Sequence, residues 1–216
     1  MHLNLSHDTL ICNGKIKITG SKSETNRLLF LQSLFPNFKI QNKSNSDDSS
    51  IMQAALKSTS DFIDINHAGT AMRFLTSYFS QLEGREVILT GSERMQQRPI
   101  KILVDALRSL GASIEYEKKQ GYPPLRIKGK KLDGGTISLP ADISSQYISS
   151  LIMLGAVLKA GIELNLKGTI TSMPYINMTL DLLKRLGIET EFKGHRILVK
   201  NTSKSKNIIQ VVESDW

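Results

Sequence analysis

One arrangement of residues occurs three times along this 216-residue chain and limits the folds open to it. Each copy has a short strand-like apolar run, a glycine followed by serine or threonine, and then an apolar run with helical spacing. The three glycines are Gly20, Gly91 and Gly168. Self-similarity of this kind is typical of folds that repeat one supersecondary unit. We therefore predict three copies of an α/β unit, with repeats starting near residues 15, 86 and 162.

Helical periodicity supports the same division. Apolar residues recur every three or four positions in residues 71–82, 100–110 and 147–158, as they do on one face of a helix. Gly111 and Gly187 follow two helical runs, at positions where a chain leaving a helix often takes positive φ. Because strands and helices alternate, with added hairpins, the expected fold class is α/β, or α+β.

Local signals refine this pattern. The polar residues 46–49 lack the ligand spacing of a calcium loop, and we interpret them as the start of a further helix. Ser144 and Ser145 are candidate caps for the helix over 147–158. Residues 192–196 predict a hairpin turn between two short strands.

Composition sets the limits on function. The 28 Lys and Arg against 20 Asp and Glu give a net charge of +8, which favours anionic partners such as nucleic acid or phosphorylated and carboxylated small molecules. A lone cysteine, Cys12, excludes a disulfide scaffold and favours a reducing compartment, so we expect a cytoplasmic protein. The longest apolar run, residues 151–158, is too short to cross a bilayer, so we expect no membrane partner.

The chemistry is expected where strands lead into helices. Unpaired N–H groups at a helix start carry positive partial charge and attract phosphate or carboxylate. If the repeats pack around a pseudo-threefold axis, these loops would converge into one cationic, hydroxyl-rich pocket for a ligand with several negative charges. The polar residues at the predicted helix starts are Ser21, Lys22, Ser23, Asn26, Arg27, His67, Thr70, Arg94, Gln97, Arg98, Ser144, Ser145, Gln146, Thr171, Ser172 and Tyr175.

Taken singly, each of these residues also has an ordinary structural explanation. Serine and threonine before a helix usually act as caps, and arginines such as Arg94 and Arg98 more often form surface ion pairs. We interpret His67 as a surface histidine. Tyr175 is as well explained by partial burial as by contact with a ligand.

Neither a metal nor a cofactor is expected. The scattered histidines His2, His7, His67 and His195 lack the spacing of zinc ligands. The chain contains no phosphate-loop motif and no glycine-rich dinucleotide motif after a strand.

Five segments, in order along the chain, resemble the signature segments of the 3-phosphoshikimate 1-carboxyvinyltransferase, or EPSP synthase, family. The resemblance implies two similar lobes, each an inside-out α/β barrel of three βαβαββ repeats around a pseudo-threefold axis, with helices inside and sheets outside. Residues 14–206 would form one lobe, residues 1–13 a strand of the opposite lobe, and residues 207–216 the crossover strand towards it. The five segments are Gly20–Arg27, Ala68–Arg73, Arg94–Ile100, Ser144–Gln146 and Ser172–Tyr175.

This family transfers the enolpyruvyl group of phosphoenolpyruvate to the 5-hydroxyl of shikimate 3-phosphate and releases phosphate, in the shikimate pathway of aromatic amino-acid biosynthesis, without a cofactor. The resemblance implies that Lys22 contacts both substrates and transfers a proton. The residues it implies for phosphoenolpyruvate are Lys22, Gly69, Arg94 and Gln146. Those it implies for shikimate 3-phosphate are Lys22, Ser23, Arg27, Ser144, Ser145, Gln146, Ser172 and Tyr175.

Two features depart from the family pattern. His67 stands where asparagine is usual, and Phe74 where proline is common, so affinity for phosphoenolpyruvate is in question at the Gly69 loop. Family members are also roughly twice as long as this chain, as two domains of this size would be. We therefore expect the chain to be the shikimate 3-phosphate-binding half. It would be monomeric, inactive alone, and dependent on the second lobe for an aspartate base and further phosphoenolpyruvate-binding residues.

Two other functions remain open. A lobe of a UDP-N-acetylglucosamine enolpyruvyl transferase would share the fold, but it typically has a different first loop and a reactive cysteine in the Gly69 region. A non-catalytic nucleic-acid-binding domain would fit the net charge. However, the one Trp, five Tyr and seven Phe fall mostly in apolar helix faces or strands rather than on a stacking surface.

Overall fold

The computed structural model describes residues 18–214. Cys12, the predicted strand over residues 1–13, the start of the first predicted strand, and Asp215 and Trp216 lie outside these residues. The helices are α1 (Lys22–Leu34), α2 (Asp47–Lys57), α3 (Gly69–Gln81), α4 (Glu93–Gln96), α5 (Lys101–Ser109), α6 (Ser145–Gly155) and α7 (Met173–Arg185). The strands are β1 (Lys39–Gln41), β2 (Phe62–Asp64), β3 (Glu86–Thr90), β4 (Ser113–Tyr116), β5 (Leu125–Lys128), β6 (Gly135–Pro140), β7 (Ile162–Lys167), β8 (Thr190–Lys193), β9 (Arg196–Val199) and β10 (Ile209–Val211).

Two four-stranded sheets share one topology. The first has the strand order β2-β3-β5-β4 and the second has β6-β7-β9-β8. In each sheet the first two strands are parallel and joined through a helix, while the other neighbours are antiparallel. Residues 135–199 therefore have the order βαβαββ, and residues 62–128 have the same order with one short additional helix, α4, before α5. The repeat starts predicted near residues 86 and 162 correspond to β3 and β7, the second strand of each sheet.

A third, smaller sheet brings the two ends of the described chain together. Strand β10 pairs with β1 in parallel, with Ile40 opposite Gln210. Gly20 forms an antiparallel bridge with Ser214, and the Ser21 N–H donates to the Glu213 carbonyl at 2.7 Å. Within the segment predicted as a crossover strand, β10 is the portion that forms a ladder.

The local signals in the sequence are confirmed. Ser46 caps α2 by accepting from the Ser49 N–H, and Ser144 caps α6 by accepting from the Gln146 N–H. Gly111 and Gly187 follow α5 and α7 with φ of 96° and 85°, where a side chain would be strained. The predicted hairpin turn joins β8 to β9.

Helices fill the centre of the described structure. Every residue of α3 from Gly69 to Ser80 is buried, and α6 is buried almost as completely. Helix α3 packs against α6 and α1, and α6 packs against α7. No helix within residues 18–214 is long and apolar enough to cross a membrane.

The central helices start at the same end of the bundle. Arg27 of α1 contacts the Phe74 ring of α3, and one turn further Phe30 packs edge-on against Tyr78. Because residues one turn apart in α1 contact residues one turn apart in α3 in the same order, the two helices run in the same direction. Gln146 and Thr70, in the first turns of α6 and α3, are hydrogen-bonded at 3.1 Å. Polar residues in the first turns of these helices are therefore brought to one side of the molecule.

Candidate functional site

Arg27 connects three of the helices near their starts. Its Nε donates to Thr179 Oγ1 of α7 at 2.7 Å, and Nη2 donates to Ser149 Oγ of α6 at 2.9 Å. Nη1 donates to the Ser23 carbonyl one turn earlier in α1 at 2.9 Å. The guanidinium lies 5.8 Å from the centre of the Tyr175 ring. A single buried cation thus connects the early turns of α1, α6 and α7.

The burial of Arg27 has an electrostatic cost. Its side chain is 2% exposed, and this desolvation lowers its pKa from 12.5 to about 10, while the neighbouring Tyr175 acts in the opposite direction. The guanidinium stays protonated at neutral pH. No carboxylate within residues 18–214 lies within ion-pair distance of it, so a positive charge is held there without a counter-ion.

Lys22 stands at the exposed edge of this group, in the first turn of α1. Its side chain is about half exposed, and its Nζ lies 3.7 Å from Asp48 Oδ1 at the start of α2. Buried hydrogen bonds tie the two helix starts together, because Ser49 Oγ donates to Asn26 Oδ1 at 2.9 Å. Ser23 beside Lys22 is partly buried. The structure thus provides an accessible ammonium in the first turn of α1, the helix that also carries the buried Arg27.

A second cationic group surrounds the start of α3. Gly69 is its first residue, and the preceding Ala68 has no side chain that could cap the helix. A Cβ added at Gly69 would lie 2.4 Å from Arg98 Nη1 and 3.4 Å from Arg73 Nη1, so two guanidinium groups lie against this glycine. Burial lowers the pKa of Arg73, the Tyr147 ring counteracts this, and the charge of Arg98 lowers the pKa further.

A cavity of about 500 Å³ opens beside this helix start. It is lined by His67, Ser92, Arg94, Met95 and Arg98. His67, Arg94 and Arg98 are exposed, which agrees with the interpretation of His67 as a surface histidine and also places it at the cavity. Phe74, the other departure from the family pattern, is fully buried and packs edge-on against Phe30 at 6.0 Å.

The remaining predicted residues lie at the starts of α6 and α7. Ser144 is exposed and caps α6, Ser145 is buried, and Gln146 connects α6 to α3 through its bond to Thr70. Ser172 precedes α7 and makes no side-chain capping bond. Tyr175 is 46% exposed, and its ring also contacts Arg27. One part of the ring is therefore buried against the protein, and another part is accessible to a ligand.

Eight of the nine arginines of the described chain divide into two sets. Arg85, Arg126, Arg185 and Arg196 each lie within 4 Å of a carboxylate. Among residues 18–214, no carboxylate lies that close to Arg27, Arg73, Arg94 or Arg98, all of which are at the helix starts. Arg108 also has no carboxylate partner, but it donates to the Ile114 carbonyl. A further cavity near Arg85 and Arg126 is lined by the same carboxylates that neutralise them.

The sequence did not reveal the residues that hold the charged side chains of this site in place. Ser149 and Thr179, which hold Arg27, lie inside helices and carry no signal that separates them from ordinary helical residues. Arg73 was visible only as a member of a recognised segment, and Arg98, named among the polar residues at the helix starts, was assigned to no substrate. Among the described residues, no group of three or more His, Cys, Asp or Glu could hold a metal ion.

The fold and the site define an α/β domain with arginine side chains grouped around the starts of its central helices. The family model of EPSP synthase (3-phosphoshikimate 1-carboxyvinyltransferase) matches residues 38–216, and the chain belongs to this family. The predicted class, an α/β fold of helices with mixed sheets, is confirmed by likeness to EPSP synthase from Acinetobacter baumannii. The TM-score is 0.79 at 20% identity, over 94% of this chain and 50% of that one.

Curated relatives carry the same family name. The chain is 48% identical over 202 residues to a 3-phosphoshikimate 1-carboxyvinyltransferase of Bacteroides fragilis (strain YCH46), covering 93% of this chain and 49% of the relative. It is 35% identical over 232 residues to one of Colwellia psychrerythraea, covering 94% and 54%. The chain therefore spans about half the length of the curated relatives it matches.

Proposed function

We propose that this chain is the shikimate 3-phosphate-binding half of an enzyme that transfers the enolpyruvyl group of phosphoenolpyruvate to the 5-hydroxyl of shikimate 3-phosphate. The observation that carries the proposal is the cluster of arginines at the helix starts that have no carboxylate partner within residues 18–214. Two phosphates and two carboxylates of the substrates would supply the missing negative charge. Charge-assisted hydrogen bonds of this kind are roughly twice as strong as neutral ones.

The architecture we propose is one inside-out barrel lobe of three βαβαββ repeats, formed by residues 14–206. Support comes from the shared topology of the two four-stranded sheets and from the burial of α3 and α6. Residues 1–13 would complete the opposite lobe, and residues 207–216 would lead into it. Such lobes would close around the substrates and exclude water.

On the shikimate 3-phosphate side, Arg27 is the central cation. Three of its five N–H donors are used by protein groups, which fixes the guanidinium plane and leaves two donors for ligand oxygens. Lys22 adds an accessible ammonium. The remaining contacts would come from Ser23, Ser144, Ser145, Gln146, Ser172 and Tyr175.

On the phosphoenolpyruvate side, the binding groups would be Lys22, Gly69, Arg94 and Gln146. Protonation of the methylene carbon of phosphoenolpyruvate makes its central carbon electrophilic, and the 5-hydroxyl attacks that carbon with loss of its own proton to form a tetrahedral ketal. Phosphate then leaves as a proton is lost from the new methyl group, which restores the enol double bond. Lys22, half exposed and 3.7 Å from Asp48, is the candidate for proton transfer because it can reach both substrates. The guanidinium groups hold the charges that develop on the phosphate and carboxylate. This chemistry requires no metal and no organic cofactor.

We expect no turnover from the chain by itself. The base and the further phosphoenolpyruvate ligands would belong to the other lobe, so half of the charged pocket would be missing. The test is steady release of inorganic phosphate from phosphoenolpyruvate plus shikimate 3-phosphate by the purified chain. Catalysed release above the rate of a heat-inactivated sample would contradict this part of the proposal.

Binding tests the proposal directly. Calorimetry with shikimate 3-phosphate should show weak binding at neutral pH, lost in Arg27→Met and kept in Arg126→Gln. Arg126 lies on β5 in an ion pair with Glu117 and serves as the matched control. No binding by the wild-type chain, or equal binding by Arg27→Met, would refute the assignment.

The two other candidate functions are tested by changing the ligand. Tighter binding of UDP-N-acetylglucosamine than of shikimate 3-phosphate would favour the related transferase. Tight binding of random oligonucleotides that weakens steeply with salt would favour a nucleic-acid-binding domain. We propose a cytoplasmic monomer that binds neither nucleic acid nor membranes. Size-exclusion chromatography with light scattering tests the oligomeric state.

A further inference from the structure

We propose that Arg98 is a specificity-determining residue of the phosphoenolpyruvate site, where its guanidinium and that of Arg94 bind the phosphate group between them. This inference rests on the proposed function and adds a residue to it. Arg98 and Arg94 line the same cavity of about 500 Å³, a size typical of pockets for small molecules.

The Arg98 guanidinium lies directly against Gly69. A Cβ at residue 69 would lie 2.4 Å from Nη1 of Arg98, closer than real Cβ contacts, and 3.2 Å from its Cζ. The guanidinium therefore occupies the space that any side chain at residue 69 would need. Glycine at this position lets the cation lie directly on the start of α3.

The side chains of Arg98 and Arg94 have no polar partner within residues 18–214. Within residues 18–214, the Arg98 side chain has no carboxylate within 4 Å and no hydrogen-bond acceptor, and the same holds for Arg94. The neighbouring Arg73 donates to the Gly69 carbonyl, and its pKa, lowered mainly by burial, is lowered further by the charge of Arg98. Guanidinium groups this close repel one another unless an anion lies between them.

The start of helix α3 adds positive partial charge to this cavity. Helix α3 has thirteen residues, and Ala68 at its N-cap provides no side-chain acceptor. The positive end of its dipole therefore adds to the two guanidinium charges. A phosphate dianion is the group whose charge and several oxygens best match two guanidinium forks at one helix start.

The test compares phosphoenolpyruvate and inorganic phosphate as probes, each titrated into the wild-type chain and followed by amide chemical shifts. Arg98→Gln should weaken both probes by about tenfold or more, since it removes a charge-assisted contact. Equal weakening of both probes would assign the contact to the phosphate group. Arg98→Lys should recover part of the loss, and Arg126→Gln should bind both probes as the wild type does. Arg98 is exposed, so thermal unfolding should show all these variants folded.

A double mutant separates binding by Arg98 from a general effect on the helix start. Gly69→Ala should weaken phosphate binding because the new Cβ displaces the guanidinium. In the Arg98→Gln background the shorter side chain leaves room, so Gly69→Ala should add little. Two fully additive losses would contradict the proposed link between these residues.

The outcomes distinguish this inference from the function it rests on. If Arg94→Gln weakens the probes but Arg98→Gln does not, the role of Arg98 is refuted while the proposed function stands. If the wild-type chain binds neither probe at high millimolar concentration, the role of Arg98 is refuted, whereas the proposed function is tested separately by the calorimetry with shikimate 3-phosphate.

Discussion

Replacing Arg27 with methionine tests whether the buried guanidinium serves binding rather than stability. The fall in its pKa from 12.5 to about 10 corresponds to about 3 kcal/mol of unfavourable free energy for keeping the charge buried at neutral pH. Against this stand three hydrogen bonds, each contributing about 1 kcal/mol net. Methionine has similar length and adapts to irregular space. We therefore expect the free energy of unfolding to change by less than about 1 kcal/mol, with binding of shikimate 3-phosphate lost.

The assay is urea unfolding followed by circular dichroism, repeated from neutral pH to about pH 10.5. Because the pKa of Arg27 is lower in the folded chain, the unfolded chain binds more protons between about pH 10 and 12.5. The penalty is complete below pH 10 and is relieved as the pH rises through that window. The stability of the wild type relative to Arg27→Met should therefore be constant at lower pH and begin to rise near pH 10. Other titrating groups are common to both proteins and cancel in the difference.

Ser149→Ala provides the matched control. It keeps the buried charge but removes the acceptor of the Nη2 bond, so it should destabilise the chain by about 1–3 kcal/mol. A loss of more than about 3 kcal/mol in Arg27→Met would mean that the guanidinium stabilises the fold as strongly as a member of a buried ion pair does, although it has no carboxylate partner among the described residues, and would refute the reasoning. So would a stability difference between wild type and Arg27→Met that does not change above pH 10.

Three further substitutions test the packing that positions the site. Gly155→Ala would place a Cβ 2.3 Å from Ile162 Cγ2 and should destabilise the chain by about 1–3 kcal/mol in urea unfolding, because α6 and β7 are already in contact; an unchanged midpoint would contradict this. Tyr147→Phe removes a 2.6 Å hydrogen bond to the Pro99 carbonyl and should lower the free energy of unfolding by about 1 kcal/mol. Thermal unfolding identical to that of the wild type would contradict this. Ser46→Ala removes the cap of α2 and should also cost about 1 kcal/mol; equal stability would mean that the cap contributes nothing.

Local chemistry made much of the fold predictable. The helices over α3, α5 and α6 followed from apolar periodicity, and the hairpin between β8 and β9 followed from the turn at Gly194. These features depend on residues close together in sequence. The glycines after α5 and α7 were visible for the same reason, because positive φ is a property of a single position.

Pairings between distant residues were less accessible. Strand β2 has only three residues, and its place beside β3 depends on the crossover through α3. The ladder between β1 and β10 joins segments about 170 residues apart. No local pattern encodes such a pairing, because it is decided by which edges remain free after the helices have packed.

The candidate site shows the same difference between features set by neighbouring residues and contacts between distant residues. Lys22, Arg27 and Arg94 were predicted because they occur in recognisable segments at helix starts. The hydroxyls that hold Arg27 come from α6 and α7, and the contact between Arg98 and Gly69 joins residues 29 positions apart. Such contacts arise only from the relative positions of the helices.

The distribution of charge gives the net value of +8 a more specific meaning than an attraction to anions in general. Arg85, Arg126 and Arg196 on the sheets are neutralised by neighbouring carboxylates, so they contribute little to any long-range field. The guanidinium groups at the helix starts have no such partners among the described residues, and two of them, Arg27 and Arg73, are 2% and 5% exposed. Repulsion and desolvation there oppose folding, and a broad electrostatic surface would not require buried cations. Buried cations together with the exposed Arg94 and Arg98 instead fit a compact polyanion, which is why we propose a small phosphorylated acid as the ligand rather than a nucleic acid.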